Sequence, residues 1–336
     1  MRAKTLPYRT PLFLSLAVFT VVVVSCAYFI EHNRLRNEVD REITRVEDLM
    51  ASQLEDDIHL LNATLLAIGQ SRTFEDALAA RDREALLKEA TPLFRGMRAE
   101  ADITHFYFTG SDRVNILRLH KPDQFGDVID RFTTVEAKRT GKPAQGLEIG
   151  PLGTLTMRVV YPQFRGDQCI GFIELGHDLG EHIELLGKTL DYDLRVLIKK
   201  KFLDQEGWSE GLKAFARAGD WNLLPDFVET GNQTGGFSEE VTLQLGTDHQ
   251  EIRKGRFTST VGGRPSRVAF LPVVGASGED VGRLVIILDI NDQQDAFVRF
   301  LLAVTIVSIA VAGLFGSLVT ILMGRVSSHL QSANKA

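Results

Sequence analysis

The chain has 336 residues, with 38 basic residues against 44 acidic ones and a net charge of −6. This length is enough for about two domains, and the acidic balance argues against nucleic-acid binding, because phosphate recognition needs a basic surface. The two cysteines, Cys26 and Cys169, fall in segments of different character, so an intradomain disulfide is excluded.

Two uncharged apolar runs lie near the ends of the chain, at 12–30 and 300–323. Each is about 20 residues long, enough to cross a hydrocarbon core of roughly 30 Å as a helix. Outside the runs lie five basic residues and no acidic one, namely Arg2, Lys4, Arg9, Arg325 and Lys335. The positive-inside rule predicts two transmembrane helices with both termini in the cytoplasm. The segment between them, with a net charge of about −11, is then extracytoplasmic.

One alternative for the first apolar run is a lipoprotein signal peptide. The residues before Cys26 loosely match a lipoprotein cleavage box. However, apolar residues continue through Ile30, where a mature lipoprotein becomes polar. This pattern favours an uncleaved helix.

A long helix is predicted directly after the first run. Apolar residues recur from Leu35 to Ile68 at a spacing of about 3.7 residues, and no Pro or Gly interrupts until Gly69. A continuous helix of this length rises about 55–60 Å. A second helical stretch, 74–97, is expected to be interrupted around Thr91-Pro92.

From Ile103 the pattern changes to that of strands. A hairpin is predicted from 103–109 and 113–120, followed by a short helix at 127–139. Further strands at 147–149, 154–161 and 169–175 complete an antiparallel five-stranded sheet with helices to one side.

A similar order of elements recurs with no detectable sequence repeat. A helix at 179–189 precedes a strand at 193–199, and a polar, Gly-rich segment follows at 204–236. Strands are then predicted at 237–245, 251–258, 267–274 and 282–290. The predicted fold class is therefore α+β: a membrane-anchored chain whose long helix carries two antiparallel-sheet modules between two transmembrane helices.

The segment HFYFTGSDRVNILRLHKP at 105–122 resembles the core of double Cache (PAS-like) sensor domains. It is closest to the double sensory domain of two-component sensor kinases. GKP (141–143), GLEIG (146–150), RVVYP (158–162) and IGFIELG (170–176) extend the resemblance. The resemblance implies two modules stacked on one long helix, a small-molecule ligand usually in the membrane-distal module, and signal transfer through the second span.

The resemblance also sets the expected organisation and partners. Family members usually continue into a HAMP linker and a histidine kinase, cyclase or methyl-accepting domain, whereas about a dozen residues follow Met323 here. We therefore expect a separate cytoplasmic output protein of histidine-kinase, cyclase or chemotaxis type, or a chain that is a fragment of a longer receptor. A homodimer is expected. The predicted segments are a cytoplasmic N-terminus (1–11), first span (12–30), helical stalk (31–98), membrane-distal module (99–180), membrane-proximal module (181–292), second span (300–323) and cytoplasmic tail (324–336).

Alternation along two strands identifies the candidate ligand site. It predicts one face formed by Val114, Ile116, Arg118 and His120, and a second formed by Thr156, Arg158 and Val160. Charged groups beside aliphatic ones must be paired, and guanidinium forks suit carboxylates. The predicted ligand residues for a small anion are Arg118, His120, Lys121, Arg158 and Tyr107. The alternative is that these arginines pair internally with Glu148, Glu174 or Asp127, or lie at solvent-exposed strand ends.

The remaining chemistry-bearing residues favour a receptor over an enzyme. The stretch from His177 to His182 lacks the two-histidine helical spacing of a zinc site, so no metal or cofactor is expected. We found no nucleophile elbow, phosphate loop or kinase signature. The predicted function is sensing of a small extracytoplasmic ligand at a bacterial inner membrane. A ligand-free assembly scaffold and a membrane-anchored periplasmic enzyme are the alternatives.

Overall fold

A computed structural model describes residues 9–150, 152–214, 217–230, 237–246 and 256–333. These residues form an α+β fold with two five-stranded antiparallel sheets. Both sheets belong to one compact unit, Ile43–Asp289, and the terminal segments on either side of it form a second unit. The predicted fold class is confirmed at this level.

Helix α1 (Arg9–Gly69) is continuous over 61 residues, which confirms the predicted long helix. No Gly or Pro lies between its first turn and its last residue, Gly69. Its apolar positions at helical spacing form a buried stripe, of which Ile43, Val46, Leu61, Leu65 and Ile68 are members. The helix ends at Gly69, where the chain turns into the first sheet's helices.

The terminal unit consists of the first part of α1 and helix α8 (Asn291–Ala333). Each helix contains a segment long and apolar enough to cross a membrane, and only 0% and 6% of these segments are buried within the protein. The ring centroids of Tyr28 and Phe297 lie 5.5 Å apart in a T-shaped arrangement. Exposed apolar surface of this extent is unusual for a soluble monomer.

Two helices, α2 (Arg72–Ala79) and α3 (Arg83–Ala101), precede the first sheet. The helical conformation is interrupted between them, and Asp82 caps the start of α3 by accepting a 3.0 Å hydrogen bond from the amide of Ala85. The predicted break at Pro92 is wrong, since Pro92 lies inside α3. Proline removes one helical hydrogen bond, but Ala90 and Phe94 are buried on either side of it, and their packing holds the helix together.

The first sheet comprises β1 (His105–Gly110), β2 (Asn115–Arg118), β3 (Ala144–Ile149), β4 (Leu155–Arg165) and β5 (Gln168–Asp178). Their order is β2-β1-β5-β4-β3, and every pair is antiparallel. One face packs on α1, α2 and α3 through a core that includes Phe106, Phe108 and Leu175. All five predicted strands are present.

Helix α4 (Phe132–Thr140) begins later than the predicted residue 127. The segment before it stays extended because it pairs with the start of the hairpin's second strand. Val114 and Val128 form an isolated antiparallel bridge, and the amide of Asn115 donates to the carbonyl of Asp127 at 2.8 Å.

A register shift between Phe108 and Thr109 changes the predicted face of β2. Ile116 packs in the core beside Leu117, so the predicted common face of Val114, Ile116, Arg118 and His120 is wrong for Ile116. Arg118 and His120 do share a side, where they line the same cavity. The register shift is a β-bulge, in which β2 has one more residue than β1. This extra residue moves Ile116 off the face that strict alternation predicts.

The second sheet comprises β6 (Asp193–Lys199), β7 (Phe227–Glu229), β8 (Arg256–Val261), β9 (Arg264–Val274) and β10 (Asp280–Asp289). Its order, β7-β6-β10-β9-β8, repeats that of the first sheet. Helix α5 (Leu179–Leu190) connects the two sheets. The order of elements predicted a duplication, and the two sheets indeed share one strand order.

Between β6 and β8 lie a 3₁₀ turn (Lys200–Phe202) and the helices α6 (Gln205–Ala214) and α7 (Glu239–Gly246). The predicted strand at 237–245 is wrong. Ser238 Oγ accepts from the amide of Val241 at 3.3 Å, and two glutamates follow in the first turn, which together favour a helix. The first residues of the predicted strand at 251–258 lie outside the described residues. Strand β7 was not predicted.

The two sheets touch through a turn of the second. The amide of Ala276, in the β9–β10 turn, donates to the carbonyl of Leu147 on β3 at 2.8 Å. Gly146 has a φ of +150°, and a Cβ there would lie 2.6 Å from the Cβ of Ala276. A glycine is therefore required where the turn meets β3.

Candidate ligand-binding cavity

A cavity of about 690 Å³ lies on the face of the first sheet opposite α1 and is lined by residues of β1, β2, β4 and β5 and of three helices, α3, α5 and the helix at Gln205–Ala214 (α6). All five residues predicted to bind ligand line it, namely Tyr107, Arg118, His120, Lys121 and Arg158. The remaining basic lining comes from Arg98, Arg131, His105, His177 and His182, and the acidic lining from Asp102, Asp178 and Glu210. The lining arginines and lysine outnumber the carboxylates.

The deepest part of the site is an ion network centred on Glu174. Arg131 Nη2 donates to both carboxylate oxygens of Glu174, at 2.7 and 2.6 Å, and Arg158 Nη1 donates to one of them at 2.5 Å. Burial by itself would raise the pKa of Glu174, but the two guanidinium groups outweigh it and hold that pKa below its ordinary value. Glu174 is therefore ionised.

Glu148 completes the network from β3. Its Oε1 accepts from the amide of Thr133 at 2.8 Å, at the start of α4, and its Oε2 lies 3.4 Å from Arg131 Nε and 3.6 Å from Arg158 Nε. Burial raises the pKa of Glu148, although Arg158 opposes the shift. Among the described residues, Glu148 Oε2 and both Nε atoms are buried and make no hydrogen bond, so the contact of Glu148 with the two arginines is an ion pair without a hydrogen bond.

The ring of Tyr107 lies among three guanidinium groups. The Cζ atoms of Arg131, Arg118 and Arg158 lie 4.9, 5.5 and 5.8 Å from its centroid. A phenol ring attracts cations electrostatically, so Tyr107 offsets part of the repulsion among the arginines. Its hydroxyl lies 3.4 Å from His120 Nε2.

Arg118 is held by the loop that follows β2. Its Nη2 forms an ion pair with Asp127, and its Nη1 donates to the carbonyl of Gln124 at 2.9 Å. The Asp127 side chain is 49% exposed, and although partial burial opposes it, the hydrogen bond from Arg118 lowers the pKa of Asp127. No carboxylate in the described parts of the chain lies within ion-pair distance of Lys121.

Two neutral imidazoles, those of His105 and His120, line the cavity together with the arginines. The rings of His105 and His120 are 4.6 Å apart. Burial, followed by the charges of Arg158 and Arg118, lowers the pKa of His120 to about 3. Burial and Arg158 also lower the pKa of His105 well below its ordinary value. At neutral pH both residues therefore offer hydrogen bonds rather than charge.

One residue that lines the cavity, His177, contacts α1. His177 Nδ1, on β5, lies 3.4 Å from Asp57 Oδ2, and both side chains are 8% exposed. Burial would raise the pKa of Asp57, but the contact with His177 leads the effects that lower it. A group that lines the cavity is thus in direct contact with the long helix.

The structure therefore brings all the predicted ligand residues together, and it also places Arg118 and Arg158 in internal ion pairs with Asp127 and Glu174. Sequence reasoning missed His105 and Arg131. His105 is two residues before Tyr107 on one strand, so strand alternation could have identified it. Arg131 lies in the loop before α4, where no periodic pattern indicates which way a side chain points.

Comparison with known proteins gives one family and a set of similar folds. The family model described as the double sensory domain of two-component sensor kinase matches residues 36–294. Among solved structures, the periplasmic domain of *Vibrio cholerae* LuxQ is 12% identical, with 71% of this chain and 95% of that chain covered and a TM-score of 0.41. The ligand-binding domain of Mlp24 with asparagine is 13% identical (81% and 98% covered, TM-score 0.41). The ligand-binding domain of *Campylobacter jejuni* chemoreceptor Tlp3 in complex with 4-methylisoleucine is 12% identical (82% and 91%, TM-score 0.37). A search of curated proteins finds no match.

Proposed function

The chain belongs to the family of double sensory domains of two-component sensor kinases, and from that premise we propose that it is a receptor for a small extracytoplasmic anion. The ligand binds in the cavity of the first sheet. The observation that carries the proposal is the convergence of Arg118, Lys121, Arg131 and Arg158 on one cavity.

The chemistry of these groups favours a carboxylate. Guanidinium groups donate in a planar fork that matches two carboxylate oxygens. Arg118, Arg131 and Arg158 line the cavity, and Lys121 contributes a charge without a carboxylate partner among the described residues. The neutral His105 and His120 add hydrogen bonds that distinguish one anion from another.

The proposed arrangement in the membrane follows from the apolar segments and their basic flanks. Residues 12–30 and 300–323 cross a bacterial inner membrane, with 1–11 and 324–336 in the cytoplasm. The stalk (31–98) carries a membrane-distal module (99–180) built on the first sheet and a membrane-proximal module (181–292) built on the second. The sensing region is periplasmic.

Signalling in this proposal depends on the wall shared by the cavity and α1. A ligand shifts a conformational equilibrium only by its differential affinity for the two states. The contact between His177 and Asp57 is one place where a bound anion changes the balance, because it lies between the cavity and the long helix. The signal passes to a cytoplasmic histidine kinase, cyclase or chemotaxis-type protein, and the receptor acts as a homodimer.

A second candidate is a ligand-free assembly scaffold. The observation that favours it is the internal pairing of Arg118 with Asp127 and of Arg158 with Glu174, which neutralises both arginines without any ligand. The two candidates differ in whether a small anion stabilises the protein.

The test is a thermal-shift measurement on the full chain in detergent micelles with acetate, succinate, citrate and alanine. A ligand at 100 times its dissociation constant stabilises by about 2.7 kcal/mol, and we expect at least one carboxylate to raise the melting temperature in a saturable way. The matched control is Lys142→Gln, an exposed lysine outside the cavity, against Lys121→Gln inside it. A shift that is absent for every anion favours the scaffold, and a shift that is equal in both variants contradicts binding of the anion beside Lys121.

A further inference from the structure

The second sheet carries a cavity of its own, about 640 Å³ in volume. It is lined by β6, β7, β9 and β10, which occupy the same places in the second sheet as β1, β2, β4 and β5 in the first. Helix α5 lines both cavities: His182 and Leu185 face the first, and Ile183 and Glu184 face the second. The two modules therefore hold topologically equivalent cavities on either side of one helix.

The charge of the second cavity is opposite to that of the first. Five carboxylates and three basic side chains line it, namely Glu184, Asp191, Asp193, Glu229 and Asp289 with Lys188, Arg195 and Arg264. Each basic group already has a carboxylate partner: Lys188 with Glu184 at 2.8 Å, Arg195 with Asp193 at 2.6 Å, and Arg264 with Asp289 at 3.1 Å. Negative charge is left over after this pairing.

Glu229 is one of the carboxylates left without a basic partner in this pairing, and it is buried. The residue is 3% exposed, and its Oε2 is buried with no hydrogen-bond partner among the described residues. Its cationic neighbour, Arg195, is held by Asp193, with Nε–Oδ1 at 2.9 Å and Nη2–Oδ2 at 2.6 Å, and lies 4.8 Å from the centroid of the Phe237 ring. Burial raises the pKa of Glu229 to about 7, although Arg195 opposes the shift. A buried carboxylate oxygen without a partner is costly.

We infer that this cavity is a second binding site, for a small organic cation of the amine or guanidinium class, which Glu229 receives as an ion-pair partner. The proposal does not depend on an anion in the first cavity. An organic cation fits better than a metal ion, because no group of three or more metal-ligating side chains converges anywhere in the described residues. The partner that Glu229 lacks is a hydrogen-bond donor with a positive charge, and an ammonium or guanidinium supplies both.

The test is titration calorimetry of the full chain in detergent micelles with *n*-butylammonium and methylguanidinium chloride, with calcium chloride as the metal control. We expect saturable binding of at least one organic cation and at least tenfold weaker binding by Glu229→Gln. The substituted amide keeps the shape of a protonated glutamic acid, so the variant folds. Glu279→Gln, which removes an exposed carboxylate outside the cavity, keeps the wild-type affinity, and so does Glu210→Gln, which removes a carboxylate that lines the first cavity.

A pH series separates ion pairing by Glu229 from an indirect structural role. The groups that act on Glu229 are Arg195 and Asp193 of β6, while the pairs Lys188–Glu184 and Arg264–Asp289 line the same cavity. Because the cation binds only the ionised carboxylate, its affinity should rise about tenfold from pH 6 to pH 8, and Glu229→Gln should abolish this rise.

Three results overturn the proposal: no saturable binding of either organic cation at millimolar concentration, equal affinity in the wild type and Glu229→Gln, or binding of calcium alone. Loss of cation binding in Glu210→Gln would place the cation in the first cavity and overturn the proposal as well. Failure of anions to bind leaves this proposal intact, because its readout is the cation.

Discussion

Arg158 Nη1 donates a 2.5 Å hydrogen bond to Glu174 Oε1, and both side chains are 2% exposed. The pair lies on adjacent strands, β4 and β5, at the base of the first cavity. It combines two roles that compete: the ion pair stabilises the empty site, and the same guanidinium lines the cavity in which we propose that an anion binds. The balance between these roles can be measured by removing one partner at a time.

Arg158→Met should destabilise the protein by about 3 kcal/mol, because it leaves part of the charge of Glu174 unpaired in a buried place. Arg131 still holds Glu174 with two hydrogen bonds, so unfolding should not be complete at room temperature. The measurement is thermal unfolding followed by near-UV circular dichroism. A second variant, Arg158→Met with Glu174→Met, should recover much of the loss. A single variant that melts with the wild type would show that the pair contributes little.

Arg118→Ala should behave differently from Arg158→Met. Its partner Asp127 is 49% exposed, so water can replace the ion pair, and the cost to stability should stay below about 1 kcal/mol. Anion-induced stabilisation should nevertheless be lost. Arg113→Ala is the matched control, because Arg113, in the turn between β1 and β2, pairs with the exposed Asp130 and does not line the cavity. A large fall in melting temperature without ligand would make Arg118 a structural residue.

Acid should destabilise the protein in part through His120. Its folded-state pKa of about 3 lies below its unfolded value of about 6.5. Below pH 6.5 the unfolded state therefore binds the extra proton, and stability falls as the pH falls toward 3. The contribution is about 1 kcal/mol per pH unit in the upper part of this range. His120→Asn should have a flatter dependence of melting temperature between pH 5 and pH 6.5, and the same slope as wild type would contradict a neutral His120 in the folded protein.

The sequence predicted much of the fold because its signals are local. Alternation located β6 from Asp193 to Lys199 at both ends, and helical spacing located the buried stripe of α1. The three-residue strand β7 was missed because its partner, β6, and not its own pattern, makes it a strand. The segment after Phe237 alternates like a strand, but the cap at Ser238 and two acidic residues turn it into a helix.

The candidate site was predictable to the extent that it lies on strands. Arg118 and Arg158 were identified from the pattern of their strands, and Glu174 was foreseen as a partner. Arg131 enters the network from a loop, and its position depends on how that loop crosses the sheet. The cavity of the second module was not predicted at all, because Glu229 belongs to the unpredicted β7.

Topology tests the proposed membrane arrangement. An alkaline phosphatase fusion inserted beside Arg165, at the β4–β5 turn, should be active, and a green fluorescent protein fusion after the last residue should fluoresce in the cytoplasm. The expectation rests on the basic flanks of both apolar runs. The reciprocal fusions, with the reporters exchanged, are the control and should be inactive or dark. An active phosphatase at the C-terminus would overturn the two-span topology.

The contact between His177 and Asp57 gives the most direct test of how the cavity communicates with α1. Asp57→Asn keeps the shape of the side chain but removes the charge that faces His177, at a point where both are 8% exposed. If this contact carries the signal, an anion should bind the variant within about twofold of wild-type affinity, since Asp57 does not line the cavity. The ligand-induced change in amide hydrogen exchange along residues 50–65 of α1 should be lost. Asp56→Asn, one residue away on the exposed side of the helix, should keep both the affinity and the change in exchange. If Asp57→Asn responds like Asp56→Asn, the signal leaves the cavity by another route, and if it loses affinity for the anion, Asp57 belongs to the binding site itself.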